Sequence, residues 1–269
     1  MLRWVICDVI NTKDCGLFTP SGRIVGGDLV QKKDQVPWAV QLSLPYIYNA
    51  THNSSKSCGG SIISAHFVLT ASHCISLEGI NLHESKVFYN STEKHGGPTV
   101  GIAALIRYPL FIPGAFAHDI ALAKTIEPIS FDRFVRPVCL PRKRSKLDGK
   151  KAVVSGWGRV SADSKISSGL VQATQTILPF KRCGKSLSEV DPHRALTWRV
   201  ALCAREKGKG ICMGDSGGPL TIITEGHKAV QVGVVSFAFG CAHQTNADFY
   251  TRVSTYVPWI REQLAAPDK

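Results

Sequence analysis

Apolar residues in this chain come in short runs separated by turn-forming residues, and that spacing constrains the fold more than any other feature. The runs fall at 38–44, 61–70, 100–107, 120–125, 152–155, 230–237 and 248–253. The pattern predicts an all-β barrel or sandwich, not strands alternating with helices. Only the tail reads as a helix. Thr255 is placed to cap it, Pro258 suits its first turn, and Val257, Ile260 and Leu264 fall on one face. With 269 residues the chain can form one large β unit or two smaller domains. Residue identities show no internal repeat.

Nine cysteines in a chain of this size point to disulfides and an oxidising compartment. Sequons at Asn49, Asn53 and Asn90 suit exposed, glycosylated loops, and together with the cysteines they favour a secreted, extracellular chain. Residues 1–8 begin like a signal peptide, but Asp8 breaks the apolar run and they are not read as one. No run approaches the about eighteen uninterrupted apolar residues of a spanning helix, so no membrane span is expected. The formal net charge is +12, and the densest basic run, 142–151, holds six basic residues and one acid. Its plain reading is a solvated loop. Its sharper reading is a docking patch for a sulfated glycan or another polyanion. Nucleic acid is a poor partner, since no recognised nucleic-acid motif accompanies the charge.

Three motifs carry chemistry. Met213-Gly-Asp-Ser-Gly-Gly-Pro219 sets Ser216 between glycines and beside a carboxylate. Thr70-Ala-Ser-His-Cys74 supplies His73, and His118-Asp-Ile-Ala-Leu122 supplies Asp119 at the head of an apolar run. Singly, each has a plain explanation: a packing histidine, an acid opening a strand, a tight turn. Jointly they match a requirement. A serine hydroxyl is a poor nucleophile until a base takes its proton, histidine can be that base near neutral pH, and a carboxylate can fix its tautomer.

In that order the motifs resemble the chymotrypsin-like serine proteases, and the resemblance covers residues 15–264. It implies two packed six-stranded Greek-key β-barrels with a C-terminal helix, and an active site in the crevice between them. It implies Ser216 as nucleophile, His73 as base and then acid, and Asp119 as the orienting carboxylate, with the N–H groups of Gly214 and Ser216 as the oxyanion hole. Thr19-Pro-Ser-Gly-Arg-Ile-Val-Gly-Gly27 looks like a zymogen activation site. Cleavage at Arg23-Ile24 would free an ammonium on Ile24 to pair with Asp215 and order the site. Residues 1–23 then form a propeptide or light chain, and 24–269 a protease domain with halves at about 24–130 and 131–269. By the same resemblance Cys58 pairs with Cys74, Cys183 with Cys203, Cys212 with Cys241 and Cys15 with Cys139. Cys7 is left over, to be free, to bridge to another chain, or to belong with a further module. No cofactor is expected, and no metal, since zinc-type CxxC spacing is absent.

The specificity pocket departs from the trypsin pattern. Gly210 stands where trypsin-like members carry an aspartate six residues before the nucleophile, and Asp248 stands where a glycine usually lines the opposite wall. This arrangement resembles crustacean collagenolytic serine proteases. Ser236 and Ala238 complete the substrate-binding set, Ala238 narrowing the entrance where glycine is usual. The expectation is a broad preference covering basic and large apolar side chains, unless Asp248 points outside and the pocket is simply apolar. Protein or peptide substrates, an activating protease and protein inhibitors are the partner classes implied. The competing reading is a catalytically silent homologue that binds polyanions or protein partners. A lipase-type hydrolase is disfavoured because its nucleophile motif and triad order differ.

Overall fold

The computed structural model of the chain describes residues 10–19, 28–49, 52–114, 116–183, 196–241 and 246–267. A closed barrel is built from β2 (Ala39–Asn49), β3 (His52–Ile62), β4 (Phe67–Thr70), β5 (Lys86–Phe88), β6 (Thr99–Arg107) and β7 (Ala121–Thr125), in the order β2-β3-β4-β7-β6-β5. β8 (Lys151–Gly156), β9 (Val171–Ile177), β10 (Ala201–Arg205), β11 (Pro219–Ile223), β12 (Ala229–Ala238) and β13 (Asp248–Arg252) repeat that path. Their order is β8-β9-β10-β13-β12-β11, and the β8–β9 and β11–β8 pairings close the ring. Every ladder in both barrels is antiparallel. The repeat is one of topology alone, because many sequences can satisfy the same alternation of inward and outward side chains.

Each barrel closes over its own apolar filling. Val40, Leu42, Leu44, Ile62, Val87 and Ile102 belong to the first core, and Val154, Ala173, Leu202, Leu220, Val232 and Tyr250 to the second. Between them, Ser61 Oγ donates to Gln231 Oε1 at 2.5 Å, with both side chains fully buried. The chain ends cross over. β1 (Asp28–Leu29) precedes the first barrel in sequence yet pairs with β9 of the second. After a short helix α1 (Phe180–Cys183), the C-terminal helix α2 (Val253–Ala265) follows the second barrel yet sends Tyr256, Val257 and Ile260 into the first barrel's core. There Tyr108 meets Tyr256 and Trp259 edge-on at 4.9 and 5.3 Å.

The helix differs from its expected start. α2 spans Val253–Ala265, and Thr255 lies inside it, not at its cap. The Thr255 hydroxyl donates to the Arg199 carbonyl, a tertiary partner that replaces the capping role. The expected run 61–70 likewise divides into the end of β3, a turn at 63–66, and β4. Disulfides join Cys15–Cys139, Cys58–Cys74, Cys183–Cys203 and Cys212–Cys241. The first keeps residues 10–19 on the body, where Ile10 is fully buried and Asn11 exchanges two hydrogen bonds with the Leu140 backbone. Among the described residues no helix is long and apolar enough to cross a membrane.

Candidate active site

His73 sits in a 3-10 turn, Ser72–Cys74, directly after β4. Ser72 anchors this turn by donating to the Ile120 carbonyl at 2.6 Å, and the Cys58–Cys74 disulfide ties it to β3. Asp119 precedes β7 and is fully buried. Its carboxylate receives the His73 backbone N–H on Oδ1 at 2.8 Å. Oδ2 takes His73 Nδ1 at 2.7 Å and the Ser236 hydroxyl at 2.6 Å. A carboxylate can only accept here, so Nδ1 carries the hydrogen and Nε2 is left with a lone pair. That is the tautomer a general base needs. The Thr251 hydroxyl donates to the Asp119 carbonyl at 2.6 Å, so β12 and β13 of the second barrel hold this acid together with the His73 turn of the first.

The serine loop is pressed against the same shelf. Gly59, next to Cys58, donates its N–H to the Ser216 carbonyl at 2.7 Å, and Thr70 Oγ1 donates to the Gly59 carbonyl at 2.9 Å. Gly217 has φ +80°, and a Cβ there would lie 2.3 Å from Thr70 Oγ1 and 2.5 Å from the Gly59 carbonyl. Only glycine allows that approach. The loop therefore meets the end of the strand leading to His73, and Ser216 and His73 are both partly exposed. Among the described residues no hydrogen bond joins Ser216 Oγ to His73, a contact that commonly tightens only with substrate bound. The backbone N–H groups of Gly214 and Ser216 likewise have no acceptor among the described residues.

Lys56 is a participant that sequence reasoning missed. Its Nζ donates to the His73 carbonyl at 2.7 Å. Burial lowers its pKa, while the Asp119 charge pulls the other way. The Cys58–His73–Cys74 grouping brings metal-type ligand atoms together, but both sulfurs are spent in the disulfide and cannot act as thiolates.

Asp215 is buried, and its two oxygens accept the N–H groups of Gly158 at 2.8 Å and Cys212 at 2.9 Å. Burial raises this carboxyl to about 6 against those donors, and the nearby Asp248 charge adds to the rise. A cavity of about 60 Å³ lies beside it, lined also by Gly156, Gly158 and Gly210. Arg23, Ile24 and Cys7 lie outside the described residues. Asn90 is half-buried at φ 56°. Asn49 and Asn53 stand in β2 and β3.

Beside Ser216 a cavity of about 430 Å³ is walled by Ile211, Met213, Val235, Ser236, Phe237 and Ala238, with no charged side chain among its described lining residues. Phe237 is held by stacking on Phe249 at 4.6 Å and by Phe116 at 4.5 Å. Gly210 and Asp248 are not brought to this wall. Gly210 lines the Asp215 cavity instead, and Asp248 is 4% exposed behind the pocket. Asp248 Oδ2 accepts Gln175 Nε2 and, at 3.0 Å, the backbone N–H of Ile211. Gln175 in turn accepts the Tyr250 hydroxyl at 2.6 Å. Burial raises the Asp248 carboxyl to about 6 despite its two donors.

A family model described as Trypsin matches residues 24–260. The chain is 34% identical to Trypsin 5G1 of Aedes aegypti over 245 residues, covering 90% of this chain and 85% of that protein. It is 30% identical to the serine proteinase stubble of Drosophila melanogaster over 261 residues, and 32% identical to serine protease 56 of Mus musculus over 250 residues. These matches cover 93% and 91% of this chain but only 32% and 39% of the two relatives, so the chain spans roughly a third of their length.

Proposed function

The chain belongs to the trypsin family, and from that premise we propose that it is a secreted serine endopeptidase made as a zymogen. Ser216 Oγ attacks the scissile carbonyl carbon as its proton passes to His73 Nε2. The resulting oxyanion lies on the N–H groups of Gly214 and Ser216. His73 then returns the proton to the departing amine, leaving an acyl-enzyme that water opens by the same steps. The observation that carries this reading is the double contact of His73 with buried Asp119, by backbone N–H and by Nδ1, which leaves Nε2, 3.8 Å from Cys74 Sγ, as the ring nitrogen available to a proton. Residues 24–269 form the catalytic unit. Residues 1–23 remain attached after cleavage through Cys15–Cys139, and Asn49, Asn53 and Asn90 are the glycan acceptors. Turnover of a quenched peptide library after cleavage at Arg23 tests the reading, and a cleaved, folded chain that hydrolyses none of it contradicts it.

Activation follows from the charge state of Asp215. In the uncleaved chain its folded pKa of about 6 lies above the unfolded carboxylate value of about 3.9. The native state therefore binds the extra proton. The associated stability is fully present below the unfolded value and is lost as pH rises through about 6. The loss amounts to about 3 kcal/mol. Pairing with an Ile24 ammonium reverses this by favouring the ionised acid. From pH 4 to 7 urea midpoints should fall further for an Arg23→Gln chain than for the cleaved enzyme, because the similarly raised Asp248 contributes the same loss to both. Identical profiles for the two forms would contradict the pairing.

Specificity follows from the pocket. Its lining favours large apolar side chains, while Asp248 stands behind Ile211 and is mostly protonated below pH 6. A basic side chain gains from this acid only once it ionises. The ratio of kcat/KM for matched Arg and Phe peptides should therefore climb as pH rises through about 6, a comparison in which the His73 titration cancels. A flat ratio, or strict discrimination for Arg and Lys at every pH, would rule this arrangement out.

A further inference from the structure

A second cavity, of about 490 Å³, opens on the second barrel away from Ser216. Its floor is apolar, from Leu147, Leu178, Pro179, Phe180 and Leu202. Its rim is cationic, from Arg144, Lys146 and Lys181, with Asp148 as the one acid among the described lining residues. The volume is that of an ordinary ligand site. Arg144 and Lys146 come from the basic run that sequence reading treated as a solvated loop or a glycan patch, and here they border a hydrophobic recess.

Arg252 is the informative residue. It lines this cavity at 7% exposure, and its Nε is buried without an acceptor. Among the described residues nothing pairs with its guanidinium. Burial lowers its pKa, Arg144 lowers it further, and only the Asp148 charge works in the opposite direction. With no anion bonded to it among the described residues, this buried cation is costly, and an arriving anion would relieve that cost. Arg252 also immediately precedes α2, whose N-terminal partial positive charge favours an anion at the same place.

The rim is held ready. Arg144 lies over the Trp198 ring with its guanidinium carbon 4.7 Å from the centroid, and Arg199 lies at 5.4 Å. Arg144 Nη2 is fixed by the Arg199 carbonyl at 2.6 Å and by Thr255 Oγ1 at 3.1 Å. Trp198 itself is half-exposed at the mouth. Aromatic and arginine side chains clustered around a recess are the usual anchors of a protein contact.

We propose that this cavity docks an acidic peptide segment of a protein partner, seating a large apolar side chain on its floor and pairing a neighbouring carboxylate with Arg252. The occupant is chosen by the two features together. A sulfated glycan would meet the cations and leave the floor unfilled. A single-chain carboxylic acid would fill the floor but bring only one negative charge to a rim that carries Arg144, Lys146 and Lys181.

The test uses the full chain carrying Ser216→Ala, so that the probe is not cut, and a fluorescein-labelled Glu-Glu-Phe-Glu-Leu-Glu peptide read by anisotropy. Saturable binding is expected. Exchanging Phe and Leu of the probe for Gly should weaken it at least ~10-fold, equivalent to about 1.4 kcal/mol. Trp198→Ala and Arg252→Met should each do the same. If Arg252→Met fails to fold, judged by its circular dichroism melt, the exposed-site variants Trp198→Ala and Arg144→Gln decide alone. Equal binding of the glycine-containing probe, unchanged affinity in the variants, or tight binding of a heparin-derived hexasaccharide in place of the peptide each overturns the proposal.

Discussion

Replacing Ser216 by alanine should lower kcat for peptide hydrolysis by about a million-fold, the scale seen when a triad nucleophile is lost. The alanine fits the loop, because the contacts that place it are made by backbone: the Ser216 carbonyl accepts from Gly59, and Gly217 packs on Thr70. Folding and substrate affinity should therefore survive while turnover does not. KM should stay near that of the parent, since the pocket walls and the N–H groups of Gly214 and Ser216 are untouched. Single-turnover kinetics with a chromogenic ester would also lose the acyl-enzyme burst. A residual rate within tenfold of the parent would mean that another group attacks the substrate.

Asp119→Asn should cost about ten-thousand-fold in kcat, with little change in KM. The carboxylate accepts His73 Nδ1 and Ser236 Oγ on one oxygen and the His73 backbone on the other. An amide cannot accept at both oxygen positions. With its NH2 turned to the ring, His73 must accept at Nδ1 and carry its hydrogen on Nε2, where it cannot take the serine proton. The double variant Ser216→Ala with Asp119→Asn should be no slower than Ser216→Ala alone, because the residues act as one unit. Additive losses would show that Asp119 acts on something other than His73.

Much of this site was legible because its chemistry is concentrated in contiguous motifs. Ser216 with its glycines, His73 before Cys74 and Asp119 before Ile120 each announce themselves within a few residues. The fold was partly legible for a related reason: runs such as 120–125 become strands buried on nearly all sides. β3 was missed over most of its length because His52–Ile62 is rich in Ser, Asn and Gly and shows no apolar alternation. Its pairing comes from β2 and β4, a tertiary cause. β9 was missed because Gln172 and Gln175 interrupt its apolar pattern, and both are buried. Gln175 is tolerated there because Asp248 and Tyr250 satisfy it, residues more than seventy positions away. The same network removes Asp248 from the pocket wall to which sequence position had assigned it. Thr255 failed as a cap for a similar reason: a distant carbonyl claimed its hydroxyl.

The central claim is that Ser216 is a nucleophile activated by His73 once the chain is cleaved at Arg23. Mass spectrometry after exposure to a peptidyl organophosphonate tests it most directly. The account predicts one adduct per cleaved chain, located on Ser216, at least ~100-fold slower in the uncleaved Arg23→Gln chain and in His73→Ala, in keeping with the usual contribution of a general base. No adduct on the cleaved chain, or equal labelling of Ser216 in His73→Ala, would contradict it.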